Sequence, residues 1–151
     1  ESVRTDSKAD SVHLAMFPEV DPRWADAKLA QRWERLLDVR MKIQSALEWR
    51  RRDKVIGSSL EAKVVIGAVE DVYKELEGAD LTGLCIVSEV ILNRVEEIPK
   101  EGHRLCDTAG LWIDVEKATS AKCERCWNYR AAVGSFPDHP TLCDRCVEAV
   151  R

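Results

Sequence analysis

Glycine and proline are scarce in this chain, and a long apolar run is absent. The 151 residues include only 7 Gly and 5 Pro, which excludes collagen-like and low-complexity architectures. No stretch approaches the roughly 20 apolar residues that cross a bilayer, and the first residues lack the basic-then-apolar order of a signal peptide. We therefore expect a globular protein of the cytoplasm with no membrane partner.

Neither sign of charge dominates the whole chain, but the two signs are unevenly distributed. The net charge is −4. Residues 22–56 carry ten Lys or Arg against five Asp or Glu, whereas residues 57–120 carry six against thirteen. This asymmetry indicates an anionic partner for the basic segment, and water or the rest of a larger protein for the acidic one.

The basic segment has the pattern of a long helix. Asp21-Pro22 offers an N-cap and a proline at the first helical position, and neither Gly nor Pro occurs from about Trp24 to Arg52. Arg40 projects from within the apolar arc of this helix. We expect it to be buried with a carboxylate of a neighbouring helix, with snorkelling or RNA contact as alternatives. The arc comprises Leu29, Trp33, Leu36, Val39, Ile43, Ala46 and Leu47.

Residues 57–120 change to shorter periods that predict a small β-α-β-β unit. The run "AKVVIGAV" predicts a strand, "EDVYKELEG" a helix that ends at Gly78, "LCIVSEVIL" a second strand and "GLWIDVEKA" a third. The segment "EEIPKEGHR" predicts a loop. Cys85 would then be a buried residue of a strand, and Cys106 a loop thiol. The sheet would be mixed or antiparallel.

Four of the six cysteines have the spacing of a metal site. Cys123 and Cys126 form one C-x2-C pair, and Cys143 and Cys146 form a second pair after 16 residues. Zn²⁺ binds four thiolates in a tetrahedron, and each pair supplies two of them. We expect one structural zinc, with iron or redox-active thiols as alternatives. Four protein ligands leave no open position for a catalytic water, and the intervening His139 is not required.

Aromatic and basic residues follow the first cysteine pair: Trp127, Tyr129 and Arg130. They form either the small core of the tail or a surface that stacks on unpaired RNA bases. Lys122, Arg125 and Arg145 add positive charge nearby. This charge matters because four thiolates around one Zn²⁺ carry a formal charge of −2, which by itself repels phosphate.

Five segments, in this order and spacing, closely resemble the C-terminal region of bacterial-type isoleucyl-tRNA synthetases. They are "SVHLAMFP", "RWERLLDVRMKIQSALEWRRRDKVIGSSLEAKV", "CIVSEVIL", "KCERCWNY" and "HPTLCDRCV". The resemblance implies that residues 1–56 end a helical anticodon-binding domain, residues 57–120 form a small α/β junction, and residues 121–151 form a zinc module. We therefore expect a multi-module α+β chain: a long helix from a helical bundle, the β-α-β-β unit and a zinc-ribbon-like tail.

The family charges isoleucine tRNA with isoleucine at the expense of ATP, and the resemblance implies which residues here serve that function. The class I signatures HIGH and KMSKS do not occur in these 151 residues, so we expect no catalytic residue, with ATP and isoleucine bound elsewhere in a full-length enzyme. The four cysteines match the family's zinc ligands, and Trp127 matches its tryptophan. We expect the partners to be the remainder of a synthetase and the anticodon arm of tRNA(Ile), contacted by Trp127, Arg125, Arg130, Arg50, Arg51, Arg52 and Lys54.

Two other functions remain open on sequence alone. A stand-alone zinc-ribbon adaptor would bind another protein through the acidic surface of residues 57–120. A thiol redox protein would use the cysteine pairs directly, which a closed zinc site would prevent.

Overall fold

A computed structural model describes residues 11, 13–14, 16–17, 19–98, 105–108 and 110–150. Its architecture is α+β, with a long helix on a four-stranded mixed sheet and a small cysteine-bearing tail. Three residues of the "SVHLAMFP" segment, Val12, Ala15 and Pro18, lie outside the described residues. The elements are α1 Ala27–Arg52, β1 Ala62–Ala68, α2 Glu70–Leu76, α3 Leu81–Cys85, β2 Glu89–Arg94, β3 Leu105–Thr108, β4 Leu111–Lys117 and α4 Asp144–Glu148.

The predicted long helix is confirmed as α1, but it begins slightly later than its first capping signal. Asp21-Pro22 opens a separate 3-10 turn over Pro22–Trp24. Asp26 caps α1 instead, because its carboxylate accepts hydrogen bonds from the N–H groups of Lys28 and Leu29 at 2.9 and 3.0 Å. Two consecutive N-cap signals therefore divide the segment into a turn and a helix.

The end of α1 is closed by a two-bond cap. The N–H of Val55 donates to the carbonyl of Arg50, and the N–H of Lys54 donates to the carbonyl of Arg51, both at 3.0 Å. This pattern requires a left-handed residue after the helix, and Lys54 occupies that position with φ 59°. The cap fixes the path of the chain from α1 into the sheet.

One core joins α1 to the sheet. Strand order is β2-β1-β4-β3, with β1 parallel to β2 and antiparallel to β4, so the sheet is mixed, one of the two forms that the sequence predicted. The β1–β4 register places Val64 opposite Val115 and Ile66 opposite Ile113, and all four side chains are buried on one face. Helix α1 contacts β4 and α3, and its buried residues belong to the same cluster as this face: Leu36, Val39, Ile43, Ala46 and Leu47.

A second apolar stripe of α1 stays exposed. Leu29 and Trp33, which belong to the predicted apolar arc, are 51% and 47% exposed. Leu37 and Met41 continue the stripe at four-residue spacing and are 43% and 60% exposed. The described residues therefore leave one flank of α1 uncovered. Separately, none of the helices in the described part of the chain is long and apolar enough to cross a membrane.

The segment "LCIVSEVIL" was predicted to be one strand, and this prediction is wrong. It forms the end of a short helix followed by a strand. Asp80 caps α3 by accepting a hydrogen bond from the N–H of Gly83 at 2.9 Å, and β2 starts only at Glu89. Cys85 thus lies in a helix, although it is buried as predicted. A short apolar run has the same appearance in a buried helix and in a strand, so its periodicity could not separate the two.

Strand β3 was missed by the sequence analysis because it has only four residues. It pairs with β4 through Leu105 opposite Ile113 and Thr108 opposite Leu111. Cys106 therefore lies in a strand rather than in a loop. Residues 99–104 of the predicted "EEIPKEGHR" loop lie outside the described residues.

Candidate metal centre and its surface

The four cysteines of the tail converge on one point, as their spacing predicts. Their Sγ atoms all lie within 4.8 Å of one another. The first pair lies at the tip of a hairpin, where the N–H of Cys123 donates to the carbonyl of Asn128 at 2.9 Å. The second pair lies at the start of α4. Four sulfur donors at this separation suit a tetrahedral ion that prefers thiolates, whereas His139 is outside the cluster.

Local donors favour negative charge on two of these sulfurs. Arg125 Nη1 donates to Cys146 Sγ at 3.7 Å, and the N–H of Cys143 donates to Cys123 Sγ at 3.3 Å. Burial alone would raise the pKa of Cys123, but backbone N–H donors outweigh it and lower that pKa to about 6. Burial raises the pKa of Cys143 to about 12. The thiols therefore differ in acidity before any metal binds, and a dication would ionise all of them.

The tail has almost no apolar core of its own. Its buried side chains, within residues 119–150, are Cys123, Cys143, Cys146 and Val147. Val133 and Leu142 pack against the cysteines but are only half-buried. A segment this short cannot be held by so little apolar surface, so metal binding must provide much of its folding free energy.

Trp127 lies beside this cluster on the surface. Its backbone N–H donates to the carbonyl of Cys123 at 2.9 Å, and this hydrogen bond closes the turn of the first cysteine pair. Its backbone is left-handed at φ 64°, and the residue is 61% exposed. Lys122 Nζ lies 5.9 Å from the centroid of its ring, within cation–π range. Trp127 is therefore not part of a core, which removes the structural alternative that its spacing left open.

Tyr129 and Arg130 connect the tail to the rest of the chain. The N–H of Tyr129 donates to Ser88 Oγ at 2.7 Å, and Ser88 Oγ donates in turn to the carbonyl of Leu60. Ser88 is buried. Its hydroxyl therefore forms a buried polar bridge from Tyr129 in the tail to Leu60 at the start of the sheet unit. Arg130 is half-buried, and its Nε has no hydrogen-bond partner among the described residues. The sequence offered no signal for Ser88.

Two of the four cations in the basic run at the end of α1 are paired with carboxylates. Arg50 Nη2 lies 2.7 Å from Asp114 Oδ1 on β4, and both side chains are half-buried. Arg51 pairs with Glu48 on the same helix. Arg52 and Lys54 are exposed. The structure therefore groups Arg125, Trp127 and Arg130 in one hairpin, whereas the basic run belongs to the end of α1.

Arg40 is also anchored, but not by the carboxylate that the sequence analysis expected. Its Nε donates to the backbone carbonyl of Leu84 on α3 at 3.0 Å. A main-chain acceptor carries no sequence signature, so this partner could not have been predicted.

Comparisons with known proteins agree with this geometry. Residues 121–149 match the family model of the zinc finger found in FPG and IleRS, and together with the four converging sulfurs this assigns one structural zinc. The chain is 42% identical over 143 residues to an isoleucine--tRNA ligase of Geobacter sulfurreducens, and 40% identical over 142 residues to one of a Thermoanaerobacter species. An isoleucine--tRNA ligase of Agrobacterium fabrum is 38% identical over 144 residues.

These alignments cover 93%, 93% and 95% of this chain but only 15% of each relative. The chain thus spans about 15% of the length of the curated relatives that it matches. By sequence, the chain belongs to the isoleucine--tRNA ligase family, of which it corresponds to a C-terminal part.

Proposed function

We propose that this chain is the tRNA-binding C-terminal part of an isoleucine--tRNA ligase, which charges tRNA(Ile) with isoleucine using ATP. The identity to ligases over nearly all of the chain supports the assignment. The chain itself contributes recognition of the anticodon arm and a structural zinc, with Cys123, Cys126, Cys143 and Cys146 as the ligands. ATP and isoleucine bind elsewhere in the full-length enzyme, and no residue of this chain is catalytic.

The exposure of Trp127 is the observation that carries the RNA-binding role. A bulky residue in the left-handed region costs about 1–3 kcal/mol, and such strain persists mainly where a binding site requires it. Here the strained residue presents a large aromatic side chain to solvent at 61% exposure. Aromatic rings stack on unpaired bases of any sequence, and this suits an anticodon loop.

Positive charge around Trp127 makes contact with RNA electrostatically feasible. The zinc site would carry a formal charge of −2 by itself. Lys122 precedes the first cysteine pair, Arg125 and Arg145 lie within the two pairs, and Arg125 donates directly to a sulfur. Neutralisation of the thiolates allows phosphates to approach.

The cations at the end of α1 are weaker candidates than those of the tail. Arg50 and Arg51 would have to leave Asp114 and Glu48 to bind phosphate. Arg52 and Lys54 are exposed and remain candidates for phosphate contact.

The uncovered flank of α1 fits the proposal that residues 1–56 end a helical bundle. An amphipathic helix normally buries its apolar stripe, and four exposed large apolar side chains in one row need a neighbour. In the proposed enzyme that neighbour is the preceding part of the synthetase. Residues 57–120 then form the junction and residues 121–151 the zinc module, although α1 and the sheet share one core.

The test is binding of the zinc-loaded chain to a hairpin with the sequence of the tRNA(Ile) anticodon arm. We expect Trp127→Ala to retain its zinc and to weaken binding about 5- to 150-fold, as loss of one stacked base of about 1–3 kcal/mol implies. Trp24→Ala is the matched control, because Trp24 is 70% exposed but lies in the turn before α1. Equal affinity of wild type and Trp127→Ala would refute the assigned contact.

Salt dependence separates this proposal from the protein-binding adaptor. Affinity for RNA should fall steeply as salt rises, since phosphate contacts release counterions. An adaptor would show no salt-dependent affinity for the hairpin. Failure of the zinc-loaded chain to bind the hairpin would overturn the proposed function.

A further inference from the structure

The two cysteine pairs of the tail have almost the same internal sequence. The first pair reads "CERC" and the second reads "CDRC". Arg125 and Arg145 therefore occupy equivalent positions, each directly before the second cysteine of its pair, and both residues are exposed. Nothing in the local sequence distinguishes the two arginines.

The tertiary structure does distinguish them. Arg125 Nη1 donates to Cys146 Sγ at 3.7 Å, so its side chain reaches a sulfur of the other pair, 21 positions later. Among the described residues, no corresponding hydrogen bond joins Arg145 to a sulfur. Arg125 lies in the turn of the hairpin, whereas Arg145 lies in the first turn of α4. The same residue in the same short motif thus has two different environments.

The cluster needs a partner for its negative charge. Four thiolates around one Zn²⁺ carry a formal charge of −2, and a buried charge is costly unless it is paired and hydrogen-bonded. Cys123, Cys143 and Cys146 are all fully buried. Lys122 Nζ lies over the ring of Trp127. In the described part of the chain, the cationic side chain that donates to a sulfur is that of Arg125.

The contact of Arg125 joins the two halves of the site. It connects the turn that carries Cys123 and Cys126 to a sulfur at the start of α4. Hydrogen bonds from a charged donor are about twice as strong as neutral ones. Groups that hydrogen-bond to metal ligands fix the orientation of those ligands, and their loss typically lowers metal affinity about 10- to 100-fold.

We propose that Arg125 is a positioning residue of the zinc site, whose guanidinium holds the Cys146 thiolate and thereby raises the affinity of the four cysteines for zinc. Arg145, at the equivalent position of the second pair, does not have this role. A guanidinium has five N–H donors, so one bond to sulfur leaves other donors of Arg125 free for phosphate. The inference concerns metal binding alone and does not depend on RNA recognition.

The test compares Arg125→Met with Arg145→Met as the matched control. Each variant loses one positive charge at an equivalent exposed position and keeps a long unbranched side chain without an N–H donor. Zinc affinity of the whole chain is measured at constant pH by competition with a chromophoric chelator. We expect Arg125→Met to bind zinc about 10- to 100-fold more weakly than wild type. Arg145→Met should bind it nearly as tightly, because an exposed charge without a close partner contributes little.

Absorption of the Co²⁺-substituted chain gives a second measurement, which separates the hydrogen bond from net charge. A hydrogen bond lowers the energy of the thiolate lone pairs, so its loss should move the thiolate-to-Co²⁺ charge-transfer band to longer wavelength. We expect this shift in Arg125→Met but not in Arg145→Met. The d–d bands of tetrahedral Co²⁺ should persist in both variants, because all four cysteines remain.

Each contrary result would overturn the proposal. Unchanged zinc affinity of Arg125→Met would show that the contact does not support metal binding. Equal losses of affinity in the two variants would assign the effect to net charge. A loss of affinity in Arg125→Met without a shift of the charge-transfer band would exclude the hydrogen bond to Cys146 as its cause.

Discussion

Replacement of Cys143 by serine tests whether zinc organises the tail. Cys143 is fully buried, and its Sγ lies 3.7 Å from Cys126 Sγ at the centre of the cluster. A four-ligand zinc site in zinc-finger peptides contributes about 10–16 kcal/mol at neutral pH. The half-buried Val133 and Leu142 would contribute about 1.5–3 kcal/mol each even if fully buried. The metal therefore outweighs the apolar contacts, and its loss should unfold the tail.

The assay combines zinc content with limited proteolysis. We expect Cys143→Ser to bind less than one zinc per chain and to be cleaved rapidly within residues 121–150, while α1 and the sheet resist cleavage because they share a separate core. His139→Ala is the matched control, since His139 lies between the two pairs but outside the sulfur cluster. A Cys143→Ser tail that is as protected as the wild-type tail, without stoichiometric zinc, would contradict this account.

Three more changes test contacts that position the tail and the helix. Ser88→Ala removes the acceptor of the Tyr129 N–H and should cost about 1–3 kcal/mol; hydrogen exchange at the Tyr129 amide should accelerate, and unchanged protection would exclude the bridge. Lys54→Gly should raise the free energy of unfolding, measured by urea denaturation, by about 0.5–1 kcal/mol because glycine tolerates φ 59°. Lys54→Ala should not raise it. Burial raises the pKa of Cys85 from 9.0 to about 11, although the charge of Arg40 lowers it slightly. The folded state then binds more protons than the unfolded state between these values, so stability falls as pH rises through this window. The free energy of unfolding of the wild type should fall by about 2 kcal/mol more than that of Cys85→Ala between about pH 8 and about pH 10.5. Urea midpoints that change equally with pH in the two proteins would refute this.

Local patterns in the sequence determined the elements and the metal ligands of this protein. The period of α1, the two C-x2-C pairs and the apolar runs of β1 and β4 each depend on residues within a few positions of one another. These predictions agree with the structure because helix periodicity and knuckle spacing are properties of the local backbone. The short elements α3 and β3 were missed because four or five residues do not contain enough of a pattern.

Tertiary structure alone decided which side chains are available for binding. Arg50 is engaged by Asp114, 64 positions later, and the tail is tied to the sheet through Tyr129 and Ser88, 41 positions apart. The exposure of Trp127 likewise depends on where its hairpin lies relative to the sheet. Contacts over such separations follow from the packing of the whole chain, and no local spacing records them.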